Sequence, residues 1–295
     1  MKGESTRFGG SWTDEKLDCV GRYLVQYAKI MRRQRYRFAY IDAFAGTGYR
    51  ATDEPDECAT MLFPELFETE TRKFLDGSAS IALRSEPRFT EYIFIERRKT
   101  RCKELASLRE EFPDKAADIT IVQEDANSYL RRLCAERDWE RHRAVLFLDP
   151  YGMQVEWETL ASVGATHAID LWLLFPLGVA VNRLLPKDGE IPESWIARLD
   201  GMFGTHAWHD AFYVTEAQPG LWGDVSQTRR TADVRRIGQY FVDRLGTEFA
   251  GVARNPLALY NSRNNPLFLL CFATANANAI GPALRIAEHI LGKAG

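Results

Sequence analysis

Residues 40–50 read YIDAFAGTGYR. An apolar segment that begins at Phe38 runs into Asp42 and then into a loop that carries Gly46 and Gly48. Because glycine has no side chain, it permits a tight turn and lets backbone N–H groups come close to a ligand. The pattern predicts a buried strand followed by a ligand-binding loop.

Downstream of this loop, short apolar segments alternate with segments of helical periodicity. Strands are predicted over residues 91–96, 118–125, 144–150 and 168–176, and helices over residues 77–84, 99–112, 126–137 and 156–164. Ser78 is predicted to cap the first of these helices. Apolar strands that alternate with helices are typical of a parallel sheet covered by helices on both faces. The sequence therefore predicts an α/β fold with a Rossmann-like sheet.

The rest of the chain divides around this core. Residues 1–37 are predicted to form an N-terminal helical segment with Thr13 as its N-cap. The core is expected over residues 38–176 and 257–295, where it ends in a strand pair, 257–263 and 266–276, and a helix over 282–291. Residues 177–256 have helical stretches but no clear strand, and are predicted to be a helical insertion on the substrate side.

Composition limits the kinds of protein to consider. The 295 residues carry a formal net charge of -3, so contact with nucleic acid would depend on local basic stretches such as 32–37, 97–103, 141–143 and 229–236. The five cysteines form no CxxC pair, and neither a secretory signal nor an apolar run of membrane-spanning length is found. We expect a cytoplasmic protein with reduced thiols.

Two ligands suit the glycine loop. The spacing of Gly46, Gly48 and Ala51 fits the dinucleotide fingerprint, but the segment that follows is a poor start for the helix that a pyrophosphate requires. Asp42 would repel a pyrophosphate, whereas it could accept a hydrogen bond from an ammonium group. This favours S-adenosylmethionine, which has an amino-acid end.

Acidic residues also close the next three predicted strands. Glu96 ends the second strand, Asp125 the third and Asp149 the fourth. A carboxylate after the second strand can accept hydrogen bonds from both ribose hydroxyls, and one after the third could bind an adenine amino group. Each residue alone could instead cap a helix. Four successive strand ends with a carboxylate are harder to explain by capping.

This order of motifs resembles the class I S-adenosylmethionine-dependent methyltransferases, whose sheet ends in an antiparallel strand. The resemblance implies that Asp42, Phe44, Gly46 and Gly48 form the first cofactor loop. It also implies that Glu96 binds the ribose and that Asp125 and Ala126 flank the adenine. The long interval between Gly48 and Glu96 departs from the family's usual spacing, and residues 49–76 within it are predicted to be an insertion or loop.

A closer resemblance is to the three-Cys-motif partner proteins, the TcmP family. It is carried by IDAFAGTG, GSASIAL, YIFIE, LFLDPYGMQVEW and AIDLWLLFPLGVAVNRLL, which occur in that order. The family is named for a neighbouring gene product with a three-cysteine, radical-SAM-like motif. The resemblance implies such a protein as a partner, and it implies no iron–sulfur cluster in this chain.

The fourth strand leads into Asp149-Pro150-Tyr151-Gly152. This stretch is similar to the loop of amino-group methyltransferases, in which an acidic or amide oxygen and a backbone carbonyl hold an amine and an aromatic ring stacks on a base. The resemblance implies that Asp149, Pro150 and Tyr151 hold the methyl acceptor. The alternatives are a turn cap for Asp149 and a packed ring for Tyr151.

Further candidates lie at the end of the fifth strand and just beyond it. Phe175, Asn182 and Arg183 are predicted to contact substrate, although a strand end and a surface role explain them equally well. His206 and His209 are spaced for one helix face, but no third ligand lies nearby in sequence, so no metal site is predicted.

Three functions remain open. The first is a methyltransferase that acts on an amine, either a nucleobase in RNA or DNA or a small molecule. The second is a non-catalytic partner of a radical-SAM-like protein, and the third is a nicotinamide-dependent oxidoreductase.

Overall fold

A computed structural model describes residues 11–45, 77–150, 152–220 and 223–294. Its centre is an eight-stranded sheet in the order β3-β2-β1-β4-β5-β10-β8, in which β9 also pairs with β10. The strands are β1 (Arg37–Ala43), β2 (Glu91–Ile95), β3 (Ile119–Val122), β4 (His142–Leu148), β5 (Ile169–Phe175), β8 (Gly251–Val252), β9 (Leu257–Tyr260) and β10 (Pro266–Thr274).

Strands β1 to β5 run parallel, and β10 runs antiparallel to β5, β8 and β9. A mostly parallel sheet with this order and an antiparallel strand beside β5 is the Rossmann-like sheet of the class I methyltransferase fold. The predicted fold class and the predicted β9–β10 pair are confirmed.

Helices cover both faces of the sheet. They are α1 (Ser11–Met31), α2 (Ser78–Arg84), α3 (Lys99–Ala106), α4 (Leu108–Glu111), α5 (Ala126–Glu136), α6 (Trp157–Ala165), α7 (Glu193–Phe203), α8 (Trp208–Phe212), α9 (Val234–Glu248) and α10 (Ile280–Ala294). Side chains alternate along β1, so that Ala39 and Ile41 join the core under α5, α6 and α9, whereas Phe38 and Tyr40 join the core under α1, α2 and α10.

Two cap predictions were wrong. Helix α1 begins at Ser11, so Thr13 lies inside the helix and is not its N-cap. Ser78 is the first residue of α2, and the cap position is Gly77. Sequence caps are ambiguous where several small polar residues stand together, as in both of these segments.

The interval 177–256 also differs from the sequence-based interpretation. It contains α7, α8 and α9, as expected, but β6 (Tyr213–Gly220) and β7 (Gly223–Arg230) form a separate antiparallel hairpin, and β8 is a short edge strand. The hairpin has no apolar alternation, because Val214, Thr215, Glu216 and Ala217 are all exposed. The predicted absence of strands in this interval was therefore wrong.

Among the described helices, none combines the length and the apolar character that crossing a bilayer requires. The predicted insertion over residues 49–76 lies outside the described residues.

Candidate functional site at the carboxyl edge of the sheet

The pairing register places the ends of the parallel strands in one row. Ala43 of β1 lies beside Ile95 of β2 and Leu148 of β4. The residues that follow these three positions, Phe44, Glu96 and Asp149, therefore leave the sheet at the same level. Of the predicted site residues that the structure describes, these three and Asp42 are brought to one edge.

Asp42 is almost fully buried, with 1% exposure, one residue before the end of β1. Tyr40 donates a hydrogen bond from its hydroxyl to Oδ2 of Asp42 at 3.0 Å. Burial raises the pKa of Asp42 to about 7, although hydrogen bonds from Ser78 and Tyr40 and the charge of Lys16 favour the ionised form. The negative charge of Asp149 raises this pKa further, so the two carboxylates are close enough to interact.

The turn after β1 has an unusual backbone. Phe44 has a φ of 69°, which lies in the left-handed region that residues other than glycine rarely adopt. Such a conformation costs free energy and is often retained at ligand-binding turns. Gly46 and Gly48, which complete the predicted loop, lie outside the described residues.

Glu96 is a buried carboxylate at the end of β2, with 6% exposure. Its Oε1 accepts a hydrogen bond from the backbone N–H of Arg98 at 2.6 Å. Burial raises the pKa of Glu96, and the N–H and guanidinium of Arg98 oppose that shift. The carboxylate is thus held in one place, as a group that binds two hydroxyls should be.

Asp125 caps a helix, which was the alternative to a ligand contact. It is the N-cap of α5, and its Oδ1 accepts a hydrogen bond from the backbone N–H of Ser128 at 2.9 Å. The residue is exposed, whereas Ala126 is buried as the first residue of α5. Capping accounts for Asp125 without a ligand, and its predicted contact with adenine stays a prediction.

Asp149 makes an ion pair that was not predicted from the sequence. Oδ2 of Asp149 lies 2.6 Å from Nζ of Lys16, a lysine of α1 with 4% exposure. The same ammonium group lies 4.9 Å from the centre of the Trp12 ring. One face of α1 is buried and consists of Trp12, Lys16, Cys19, Val20 and Tyr23. A lysine on an otherwise apolar helix face was therefore the sequence feature that could have predicted a buried ion pair.

The remainder of the loop after β4 is partly described. Pro150 is buried, and Gly152 has φ of 65°, a conformation that suits glycine. Tyr151 lies outside the described residues. The neighbouring strands β1 and β4 are thus both followed by a turn that contains a left-handed residue.

Two of the three residues predicted at or after the end of β5, Phe175 and Asn182, make structural contacts. Phe175 is fully buried and stacks on Phe241 with ring centres 3.8 Å apart, which accounts for it as a core residue. Asn182 accepts a hydrogen bond from Arg230 through Oδ1 at 3.2 Å, and this bond ties residues 181–184 to β7. Arg183 is half-buried. Their contacts with substrate stay predictions.

The two histidines belong to a ring stack. His206 lies 5.6 Å from His209, ring centre to ring centre, and Nδ1 of His206 lies 3.0 Å from Oδ1 of Asp200. The described residues contain no group of three His, Cys, Asp or Glu side chains arranged to hold a metal ion.

No protein-family model and no curated protein matches this sequence. Solved structures with a similar arrangement include protein LPL1258 from Legionella pneumophila, with 14% identity and a TM-score of 0.39 over 81% of this chain and 93% of that chain. Spermidine synthase from Thermotoga maritima gives 9% identity and a TM-score of 0.39 over 92% and 62% of the two chains. The glycopeptide N-methyltransferase MtfA, solved with S-adenosylhomocysteine, gives 11% identity and a TM-score of 0.32 over 92% and 93%.

The fold assignment rests on the strand order and register described above. The protein has a class I methyltransferase-like fold with three buried or half-buried carboxylates at the carboxyl edge of its sheet.

Proposed function

We propose that this protein is an S-adenosylmethionine-dependent methyltransferase that acts on an amine. The observation that carries the proposal is the placement of Asp42, Glu96 and Asp149 at the ends of three adjacent strands, with Asp149 opening an Asp-Pro-Tyr-Gly loop. This is the edge at which open α/β sheets bind ligands.

The residues present fit the cofactor. Glu96 is a buried carboxylate held by a backbone N–H, which suits recognition of the two ribose hydroxyls. Asp42 and the strained turn at Phe44 would border the amino-acid end, and Asp125 and Ala126 would border the adenine. When bound, S-adenosylmethionine supplies an electrophilic methyl group on a sulfonium.

The acceptor amine would be held by the loop after β4. Asp149 would accept a hydrogen bond from the amine N–H, and the stiff Pro150 would fix the direction of the neighbouring carbonyl. Lys16 would keep the Asp149 carboxylate in place through the 2.6 Å ion pair. Alignment of the reacting atoms and exclusion of water are the main requirements of such a transfer, so a strong base is not needed.

The acceptor that we favour is a nucleobase in RNA or DNA, with a small-molecule amine as the alternative. The Asp-Pro-Tyr-Gly loop supports the nucleobase, because an aromatic ring beside the amine site can stack on a base.

The test is transfer of labelled methyl groups from S-adenosylmethionine to RNA, DNA and small-amine pools. Wild type should label one pool, and Asp149→Ala should reduce the rate by about 100-fold or more, since it removes the group that orients the acceptor. The matched control is Asp210→Ala, because that side chain is 97% exposed. Equal rates for wild type and Asp149→Ala would refute the role of Asp149.

We also propose that the chain belongs to the TcmP family and works beside a three-Cys-motif, radical-SAM-like protein. The order of the five motifs quoted above supports this. Co-purification with that protein tests it.

A wild type that binds S-adenosylhomocysteine but methylates no acceptor would favour a non-catalytic partner, whereas binding of NAD(H) alone would favour an oxidoreductase.

A further inference from the structure

A group of arginines lies at the opposite edge of the sheet from the candidate site. We define the amino-edge arginine patch as Arg32, Arg33, Arg35, Arg37 and Arg141, all of which are exposed. The backbone N–H of Arg37 bonds to the carbonyl of Arg141 at 3.1 Å. The fold thereby joins two basic stretches that lie far apart in the sequence, where β1 and β4 begin side by side.

Few carboxylates neutralise this patch. Arg32, Arg33, Arg35 and Arg37 form no ion pair with any of the residues that the structure describes. Arg141 keeps an 85% exposed side chain, and its Nε lies 3.6 Å from Oδ2 of Asp138. The local charge is therefore positive, in contrast to the net charge of -3 of the whole chain.

Helix capping explains only part of the patch. Arg32 and Arg33 follow the last residue of α1, where a positive charge interacts well with the helix dipole. Arg35, Arg37 and Arg141 lie outside that helix. The segment is also held against β4, because the guanidinium of Arg143 lies 3.9 Å from the centre of the Tyr36 ring.

We propose that the amino-edge arginine patch binds the phosphate backbone of a nucleic acid. All five members are arginines, whose planar guanidinium forks bind phosphate oxygens in pairs. An anionic membrane is a poorer fit, since binding there needs an apolar anchor and Ile30 is the one large exposed hydrophobic residue described in the neighbouring turn of α1.

The patch is distinct from the proposed methyl-transfer site. The seven residues of β1 separate the two edges, which at about 3.3 Å per residue is roughly 20 Å. A polynucleotide is long enough to contact the patch wherever its methylated base lies. The patch would also bind nucleic acid if the protein transferred no methyl group.

The test measures binding of short labelled RNA, single-stranded DNA and duplex DNA by fluorescence anisotropy across a series of salt concentrations. Wild type should bind more weakly as salt rises, with a log–log slope of about -0.7 to -0.9 per phosphate contacted. Arg33→Glu/Arg35→Glu should weaken binding about tenfold or more and make the slope less negative by about 2.

The matched control is Arg254→Glu/Arg263→Glu, which changes the net charge equally at two exposed positions outside the four basic stretches. It should stay within about twofold of wild type, since unpaired surface charges far from a binding site contribute little. The charge-preserving Arg33→Lys/Arg35→Lys should bind with an affinity between those of wild type and the glutamate variant, because it keeps the charge and loses the guanidinium forks. Melting temperatures establish that each variant is folded.

Three results would overturn the proposal: equal losses for the patch variant and its control, no binding of any nucleic acid by wild type, or binding of phosphatidylserine vesicles in place of nucleic acid. Titration with S-adenosylhomocysteine keeps this outcome separate from that of the proposed function. The patch variant should bind that ligand as wild type does.

Discussion

Nζ of Lys16 lies 2.6 Å from Oδ2 of Asp149 and connects α1 to the loop after β4 across 133 residues of sequence. The two side chains are 5% and 26% exposed, so the pair is partly shielded from water and the attraction is stronger than at an open surface. Helix α1 is therefore part of the candidate site, and Lys16 is a positioning residue for Asp149.

Replacing Lys16 with methionine tests this pair. Lys16→Met keeps a long apolar side chain near Trp12 but removes the cation, so that the half-buried Asp149 carboxylate loses a partner. We expect a loss of about 1–3 kcal/mol in the free energy of unfolding, measured by urea denaturation. Lys29→Met, at an exposed position of the same helix, should change stability by less than about 0.5 kcal/mol. Equal effects of the two substitutions would show that the ion pair contributes nothing.

A second prediction concerns the backbone at Phe44, where glycine should stabilise the folded protein more than alanine does, in contrast to their usual order. Alanine is normally more stable than glycine in a folded chain, by about 0.5–1 kcal/mol. At a φ of 69° glycine carries no steric penalty, whereas alanine does. Phe44→Gly should therefore be more stable than Phe44→Ala by about 1 kcal/mol in thermal unfolding. A more stable alanine variant would mean that this turn is not left-handed.

Much of the fold was predictable because the core strands carry strong signals. The strands at 91–96, 144–150 and 168–176 are apolar and were predicted within one or two residues of β2, β4 and β5. The hairpin β6–β7 was missed because both of its faces are exposed in the described part, so neither period-two alternation nor an apolar run marks it.

The candidate site was predictable only in part. Parallel strands end at the same edge of a sheet, and the register accordingly places Asp42, Glu96 and Asp149 at the carboxyl edge, while their contacts with a ligand stay predictions. The pairing of Lys16 with Asp149 depends on how α1 packs across the sheet, which no local pattern specifies. The sequence at Asp125 was consistent both with a helix N-cap and with a ligand contact, and the structure shows the N-cap.

The buried Asp42 gives a prediction about pH. Its pKa in the folded protein is about 7, above the ordinary value of 3.8, because burial disfavours the charged carboxylate. Between about pH 4 and 7 the folded state therefore keeps a proton that the unfolded state has released. The free energy of unfolding is highest below about pH 4, where both states are protonated, and falls as the pH rises through about 7.

Asp42→Asn stays uncharged and should lack this dependence. The unfolding free energy of wild type should fall, relative to that of Asp42→Asn, between about pH 4 and 8, as measured by urea denaturation at a series of pH values. Asp18→Asn serves as the control, because the Asp18 side chain is 61% exposed. If wild type and Asp42→Asn kept a constant difference across this range, the buried carboxylate would not titrate there.

Calorimetric titration with S-adenosylhomocysteine tests whether the carboxylates at the strand ends bind one adenosine-containing ligand. Wild type should bind this ligand and not NAD(H). Glu96→Gln should weaken binding about tenfold, or about 1.4 kcal/mol, because an amide replaces the carboxylate that accepts the ribose hydroxyls. Glu104→Gln, in the neighbouring helix and with a 46% exposed side chain, should bind as wild type does. Binding of NAD(H) without S-adenosylhomocysteine, or equal affinities of the Glu96 and Glu104 variants, would contradict the account.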